Sequence, residues 1–213
     1  LSSKELLDIA SVLDTTLAAR QYDDSDPSST SQGNAEEINA DCLHTRFAEL
    51  VPLEHISREI HRCIVSENEI ADDASTTLKN IRRNKKLTND RLHNQLSKMI
   101  SDQNNQTMFQ DNLITMRNGR YCIPVKNEYK NKFPGMIHDQ SSSGSTVFIE
   151  PMAIVNMNNE LKELDNQEIL EIEKILENLS AMAARDIEYI KYNFNTLAEL
   201  DFIFARAKFA RSY

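Results

Sequence analysis

Positively charged side chains between positions 112 and 138 are the residues most able to do chemistry in this chain. A single acid, Glu128, interrupts five basic residues. These are Arg117, Arg120, Lys126, Lys130 and Lys132. Clustered Lys and Arg side chains can neutralise backbone phosphates without reading a base sequence. A charge run alone is more often a solvated surface, so both interpretations stay open.

Three aromatic residues of the same stretch, Tyr121, Tyr129 and Phe133, could stack on bases. They more often form the core of a small sheet. The run from Ser141 to Gly144 could bind an anion through exposed backbone N–H groups. A hairpin turn with glycine at positive φ is the commoner explanation.

Catalysis and metal binding are both disfavoured by spacing. His138 and Asp139 are adjacent, and adjacent strand residues point to opposite faces, so neither can orient the other. Two Cys/His pairs suggest zinc ligands: Cys42 with His44, and His61 with Cys63. A spacing of two on a helix separates side chains by roughly 200°, so neither pair converges unless its segment is a strand. We expect no catalytic residue and no metal site.

Composition excludes some functions. The net charge of −9 argues against a surface coated throughout with cations, although a local basic patch remains possible. The four glycines stand at 33, 119, 135 and 144, so a GxxxxGK[ST] phosphate loop cannot be written. We therefore expect this chain to hydrolyse no ATP and to hold no cofactor.

The cysteines, the targeting signals and the terminal residues predict the compartment and the extent of the chain. The chain has three cysteines without CxxC spacing, no signal peptide and no apolar run of about 18 residues. This pattern predicts a cytoplasmic protein with reduced thiols and no membrane contact. Leu1 is not an initiator methionine, and the last residues are still helix-patterned. We expect both ends to be cut from a longer chain.

Long helices are predicted because glycine and proline are scarce. Ser2 and Glu5 form a capping box before a first helix, and an exposed loop is predicted from Asp23 to Asn34. Helical spacing without Gly or Pro then runs from Asp73 to about Asn104, and again for about 60 residues after Pro151. Residues 56–65 could be helix or strand.

The two long helices carry opposite charge. Residues 77–100 hold seven basic side chains against Asp90, whereas residues 151–192 hold nine acids against four bases. The seven are Lys79, Arg82, Arg83, Lys85, Lys86, Arg91 and Lys98. Opposite charge favours an antiparallel pair. The Arg82-Arg83 and Lys85-Lys86 cluster is then a complement to the acidic helix or a solvated face, with direct nucleic-acid contact as the less common alternative.

Between these helices the pattern alternates. Two strands flank Asn118-Gly119, a strong hairpin signal, and a second hairpin turns at Ser141–Gly144. Pro124 lacks an N–H and is expected at an edge or bulge. The predicted fold is mainly α, a helical core with two long antiparallel lever helices and a small antiparallel β clamp at their tip. The predicted parts are core 1–72, outgoing lever 73–111, clamp 112–150, returning lever 151–192 and core 193–213.

The string RNGRYCIPVKNEYKNKFPGMIHDQSSSGSTVFIEP, from Arg117 to Pro151, resembles the second bacterial branch of the MutS family. This branch lacks the mismatch-reading domain of the repair branch. The similarity extends over nearly the whole chain and implies the core, lever and clamp region. Cys122 stands where an aliphatic residue is expected, and the loop from Asp23 to Asn34 is looser than is usual in the family.

The resemblance implies a dimeric bacterial parent that suppresses recombination or rescues stalled ribosomes. Such a parent has a C-terminal ATPase that uses ATP and magnesium and often a nuclease domain, and neither is present here. For this chain it implies a non-catalytic clamp that grips branched or duplex DNA through phosphates, with the five cations as contacts. Two alternatives remain: binding to the ribosome or its rRNA, and a coiled-coil module that binds proteins or dimerises without nucleic acid.

Overall fold

The structure is a computed structural model that describes residues 1–25 and 42–212. Helices dominate, and this confirms the predicted mainly α fold. The helices are α1 (Ser3–Ser25), α2 (Cys42–Ala48), α3 (Glu54–Cys63), α4 (Thr76–Ser101), α5 (Gln103–Gln106), α6 (Val155–Arg185) and α7 (Ile187–Ala210). The strands are β1 (Ile64–Ser66), β2 (Glu69–Ile70), β3 (Thr115–Arg117), β4 (Arg120–Lys126), β5 (Gly135–Gln140) and β6 (Thr146–Pro151).

The first helix starts as the sequence predicts. The backbone N–H of Ser2 donates to the Glu5 carboxylate at 2.8 Å, and the N–H of Glu5 donates to the Ser2 hydroxyl at 3.3 Å. This reciprocal pair is a capping box, which satisfies two N–H groups that a helix start leaves open. The helix runs to Ser25, beyond the predicted loop start at Asp23, and the rest of that loop lies outside the described residues.

The chain divides into two compact units. The first comprises Leu1–Ser75 and Ile172–Tyr213, and the second comprises Thr76–Glu171, so that the division falls inside α6. The predicted five-part division into core, levers and clamp stays a prediction.

In the first unit, α1 packs against α3 and α7. The segment left undecided by the sequence is helix to Cys63 and then strand β1, which pairs with β2. Asn193 of α7 is fully buried and forms two bonds with one backbone residue. Its amide NH₂ donates to the Val51 carbonyl at 2.8 Å, and its oxygen accepts from the Val51 N–H at 2.9 Å.

In the second unit, an antiparallel sheet has the strand order β3-β4-β6-β5. The turn between β3 and β4 consists of Asn118 at φ 52° and Gly119 at φ 73°, as the hairpin signal predicts. Strand β4 pairs with β3 through its first residues and with β6 through its last. The second predicted hairpin is also present, as β5 and β6.

Pro124 lies within β4, at a level of the sheet where β3 no longer pairs with this strand. It stands opposite Phe148 of β6, and on its other side its carbonyl accepts from the Gln110 N–H at 2.9 Å. An antiparallel residue directs its N and its carbonyl to the same side. The missing N–H of Pro124 therefore faces the irregular segment that contains Gln110, where no regular ladder needs it.

The lever helices of the second unit run antiparallel, because α4 pairs Arg82 with Glu168 and, two turns later, Thr88 with Glu160. A hydrophobic core joins the end of α4 and the start of α6 to the sheet. Its buried members are Leu92, Leu96, Ile100, Phe109, Ile123, Val125, Phe133, Val147, Ile149 and Ile154. The small sheet is thus held on the helices by ordinary apolar burial.

Both lever helices are shorter than predicted. Helix α4 ends at Ser101, because Asp102 is extended and its carboxylate caps α5 by accepting from the Asn104 N–H at 3.0 Å. The expected 60-residue helix after Pro151 is wrong: Pro151 ends β6, and the helix breaks at Asp186, with φ −110° and ψ 21°. Aspartate is a weak helix former that competes for backbone bonds, so it can end a helix where no Gly or Pro is present.

Candidate nucleic-acid interface

Strand β4 separates the five predicted cations into two groups. Arg117 and Arg120 flank the hairpin turn at its start, and we call them the hairpin arginines. Lys126 ends the strand, and Lys130 and Lys132 follow it; we call these three the lysine group. Seven extended residues place about 20 Å between the two ends. The structure therefore does not bring all five cations into one site.

Arg120 is already occupied within the protein. Its guanidinium donates to Glu150 at 2.5 Å and also to the Asn159 side chain, and only 20% of the side chain is exposed. A guanidinium held in this way has few donors left for an external phosphate. The phosphate contact predicted for Arg120 stays a prediction, and the geometry supports a different role, in which Arg120 holds the hairpin on β6.

Glu150 is the residue that sequence reasoning missed. Its side chain is 0% exposed, and it accepts from Arg120, from His138 at 2.5 Å and from the Asn158 amide at 2.7 Å. A buried carboxylate is tolerated only when it is paired and hydrogen-bonded. The available signal was a lone acid at the end of the otherwise apolar strand β6.

Asn158 also extends the sheet. Its side-chain oxygen accepts from the Tyr121 N–H at 3.1 Å, and its NH₂ donates to the Tyr121 carbonyl at 3.2 Å. Tyr121 lies beyond the last β4–β6 pair, Ile123 with Ile149, so the amide of α6 takes the place of a paired strand. This contact fixes the hairpin against the returning helix.

Arg117 has partners within the protein but is partly exposed. Its guanidinium lies 4.0 Å from the centre of the Phe148 ring and 3.2 Å from the Asp139 carboxylate, and 38% of its side chain is exposed. A cation over an aromatic face is attracted by the ring quadrupole. Because Asp139 partly neutralises it, Arg117 offers less positive charge to a ligand than the sequence suggests.

The lysine group is more open. The Lys126 amine donates to the Thr107 carbonyl at 3.0 Å, and the Lys132 ammonium lies 5.4 Å from the Tyr129 ring centre. Lys130 and Lys132 are exposed. Within residues 1–25 and 42–212, no carboxylate forms an ion pair with any of the three. Their charges are therefore free to meet an anion from outside.

The three aromatic residues belong to the protein core, which confirms the favoured interpretation. The Tyr121 hydroxyl donates to the Asn89 side-chain oxygen at 2.8 Å. Tyr121 and Tyr129 both pack against the hydrophobic core. Phe133 is 6% exposed and meets Phe109 edge to face, with ring centres 5.5 Å apart. These rings are not presented as platforms for stacked bases.

The other loop candidates also have structural roles. Gly144 has φ +74°, and its N–H donates to the Ser141 carbonyl at 2.8 Å, as in the expected hairpin turn. His138 bonds to Glu150, whereas Asp139 pairs with Arg117. These two neighbours thus have separate partners, and this arrangement fits the expectation that neither orients the other.

His61 and Cys63 do not converge on a common site. His61 contacts Asp14 at 2.8 Å, while Cys63 is buried, where its neighbours are Glu59 and Arg62. The Cys42 side chain lies outside the described residues. In the part of the chain that the structure describes, no group of three His, Cys, Asp or Glu side chains could hold a metal ion.

A serine, an aspartate and a histidine also meet in the first unit, which the sequence did not suggest. Asp14 of α1 accepts from the Ser57 hydroxyl and contacts His61, both on α3. The carboxylate lies between the other two groups, so the histidine does not reach the hydroxyl as a general base must. The arrangement ties two helices together and has no catalytic geometry.

Two cations of α4 pair with acids of α6. Arg82 contacts Glu168 at 2.8 Å, and Lys85 contacts Asp165 at 2.6 Å and Glu168 at 2.9 Å. Burial tends to raise the pKa of Glu168, but hydrogen bonds from Arg82 and Lys85 outweigh it and lower that pKa. The hydrogen bond to Asp165 raises the pKa of Lys85. The predicted charge complement between the levers is present here.

Comparison with known proteins places these features in a family. No protein-family model matches the chain. A protein of Lachnoclostridium phytofermentans is 54% identical over 212 residues, all of this chain and 26% of the relative. A protein of Agathobacter rectalis is 48% identical over 213 residues, again all of this chain and 26% of the relative. The resemblance is confirmed, and the chain belongs to the MutS family.

Within that family the match is to one branch. Both relatives, and one of Lachnospira eligens that is 44% identical over 211 residues, are named Endonuclease MutS2. The chain spans about a quarter of the length of these curated relatives. A search of the described helices finds none long and apolar enough to cross a membrane.

Proposed function

We propose that this chain is a non-catalytic grip for duplex nucleic acid within a longer MutS-family protein of the bacterial cytoplasm. It holds the duplex by its backbone phosphates and does not read base sequence. DNA, branched or linear, is the proposed ligand. We place ATP hydrolysis, with its magnesium, and nuclease cleavage in parts of the longer, dimeric protein beyond this chain.

The observation that carries the proposal is the lysine group. Its three cations stand on one end of a small sheet without an acidic partner in the described chain, although the whole protein has a net charge of −9. Local positive charge in an acidic protein marks a surface that attracts polyanions. Arg117 adds a partly neutralised charge, whereas Arg120 is engaged with Glu150.

The positions of the aromatic residues favour a duplex over a single strand as the proposed ligand. Binding to single strands relies on aromatic rings that stack on exposed bases. Here Tyr121, Tyr129 and Phe133 pack into the hydrophobic core, so charge is the main attraction left on this surface. We therefore expect a duplex to bind better than a single strand of equal length, because its phosphate density is higher.

The proposal is tested by titrating the 213-residue chain at two salt concentrations. The ligands are a 30-base-pair duplex, a four-way junction, a 30-nucleotide single strand and ribosomes. Wild type should bind duplex and junction, and log affinity should fall linearly with log salt. Stronger binding to ribosomes than to either DNA would favour the rRNA alternative, which uses the same phosphate chemistry.

The matched variants change three charges each. Lys126→Gln, Lys130→Gln and Lys132→Gln together should weaken duplex binding at least tenfold and lower the salt slope by about 0.9 for each phosphate that is no longer neutralised. Lys162→Gln, Lys174→Gln and Lys208→Gln, all on exposed helix positions, serve as the control. Equal binding by the two triple variants would refute the proposal.

A further inference from the structure

The seven cations of α4 do not share one role. Arg82 and Lys85 are bonded to acids of α6. Three others, Lys79, Arg83 and Lys86, are exposed, and no ion pair involves them among the residues that the structure describes. The helix thus divides its charge between an internal pairing face and an external face.

The three exposed cations share one side of the helix. They follow at spacings of four and three residues, which places side chains one above another. The buried residue Ile81 lies on the opposite side of the helix. We call Lys79, Arg83 and Lys86 the lever stripe. Its Cα positions span about 10 Å along the helix axis.

The lever stripe leads toward the hairpin. Lys86 lines an open groove of about 510 Å³ together with Met116 and Gly119 of the β3–β4 hairpin. Gly119 lies between the hairpin arginines in sequence. Asp90, the single acid of α4, follows one turn after Lys86 and limits the stripe on that side. Asp165 and Glu168, the partners of Lys85 and Arg82, also line this groove, so the stripe adjoins the hairpin across a surface of mixed charge within the same compact unit.

We propose that the lever stripe is a second phosphate contact, so that the duplex lies along α4 as well as on the sheet. The inference rests on the proposed function, since it assigns the same ligand to another surface. A row of cations at intervals of one helical turn suits a rod of phosphates that recur every 3.4 Å along each strand.

The experiment is a salt titration of the 213-residue chain with the 30-base-pair duplex. The stripe variant carries Lys79→Gln, Arg83→Gln and Lys86→Gln. Its salt slope should fall by about 2 to 3, and its affinity in dilute salt should fall at least tenfold. The control is the triple variant at Lys162, Lys174 and Lys208, which changes the net charge equally. Circular dichroism checks that both variants stay folded.

The outcomes separate the two proposals. If the stripe variant keeps the wild-type salt slope while the slope of the lysine-group variant falls, the stripe is a solvated face. The inference then fails and the proposed function stands. If only the stripe variant loses salt slope, α4 contacts the duplex and the lysine group does not, so the proposed function fails and the stripe is not a second contact. Equal losses in stripe and control variants would reduce the effect to net charge and overturn the inference. Wild type without duplex binding overturns both proposals.

Discussion

Two buried asparagines, one in each compact unit, have the same structural role in different surroundings. Asn193 and Asn158 each bond the N–H and the carbonyl of a single backbone residue, Val51 and Tyr121 respectively. Asn193 forms a neutral tether. Asn158 also donates to Glu150, which is fully buried and paired with Arg120. The same amide device therefore stands in a neutral setting in one unit and in an ionic one in the other.

This difference indicates which unit should lose more stability when a polar core residue is substituted. Loss of a neutral amide leaves two backbone groups unpaired, whereas loss of a partner of Glu150 leaves a fully buried charge with one partner fewer. The second unit should thus be the more sensitive of the two to single substitutions at its polar core.

Replacement of Arg120 by methionine should have the largest effect. It removes the guanidinium from a carboxylate with 0% exposure and should lower the opening free energy of the second unit by about 3–5 kcal/mol. Amide hydrogen exchange in β4 and β6 measures this. Arg58→Met is the control, because Arg58 is 78% exposed and its ion pair contributes under about 1 kcal/mol. A loss at Arg120 no larger than at Arg58 would contradict the ionic description.

The two tethers should differ when each is replaced by alanine. Asn193→Ala should lower the stability of the first unit by about 2 kcal/mol, since the Val51 N–H and carbonyl lose their partners. Asn158→Ala should cost about 1 kcal/mol more in its own unit, because Glu150 loses a donor as well. Hydrogen exchange of each unit gives both values, and equal losses would show that the ionic setting does not matter.

The backbone beside Glu150 offers a third test. A Cβ at Gly135 would lie 2.4 Å from the Glu150 carbonyl oxygen and 2.4 Å from Ile149 Cγ2, so Gly135→Ala should destabilise β5 and β6 by about 1–3 kcal/mol. Gly119→Ala is the contrast, because it has open space but a φ of +73° and should cost about 1 kcal/mol. A thermal melt of both variants decides, and a smaller effect at Gly135 would contradict the close approach.

Acid should produce the smallest and most gradual effect, and it acts on a different carboxylate in each unit. Burial tends to raise the pKa of Asp14, but hydrogen bonds from Ser57 and His61 outweigh it and lower that pKa. The pKa of Glu168 is lowered against burial in the same way by Arg82 and Lys85. A lowered pKa adds stability above the unfolded value, and this stability is lost as the pH falls through the folded value.

Both units should therefore lose stability progressively below about pH 4, near the ordinary values of Asp and Glu. The variants Asp14→Asn and Glu168→Gln should each flatten this loss in their own unit, as read from unfolding curves between about pH 6 and pH 3. Retention of the full wild-type acid sensitivity in both variants would assign the acid response to other groups.

Features that depend on residues close together in the sequence could be predicted, whereas features that depend on distant residues could not. Capping at Ser2 and Glu5, the turn at Asn118 and Gly119, and the core positions of the aromatic residues depend on local chemistry or on simple burial, and they agree with the structure. The helix break at Asp186 was not predicted, because no Gly or Pro marks it. The separation of the five cations into two groups was also not predicted. They are close in sequence, but the extended strand β4 places the two groups about 20 Å apart.

The sequence by itself determined the helical class, the two hairpins, the opposite charges of the levers and the family, because these depend on residue types and local periodicity. Only the tertiary structure decided which charges are already paired. Arg120 lies next to Arg117 in the hairpin but meets Glu150, thirty residues away, while Lys86 stays exposed beside the paired Lys85. Partners brought together from distant segments set the free charge of a side chain, and sequence spacing does not contain that information.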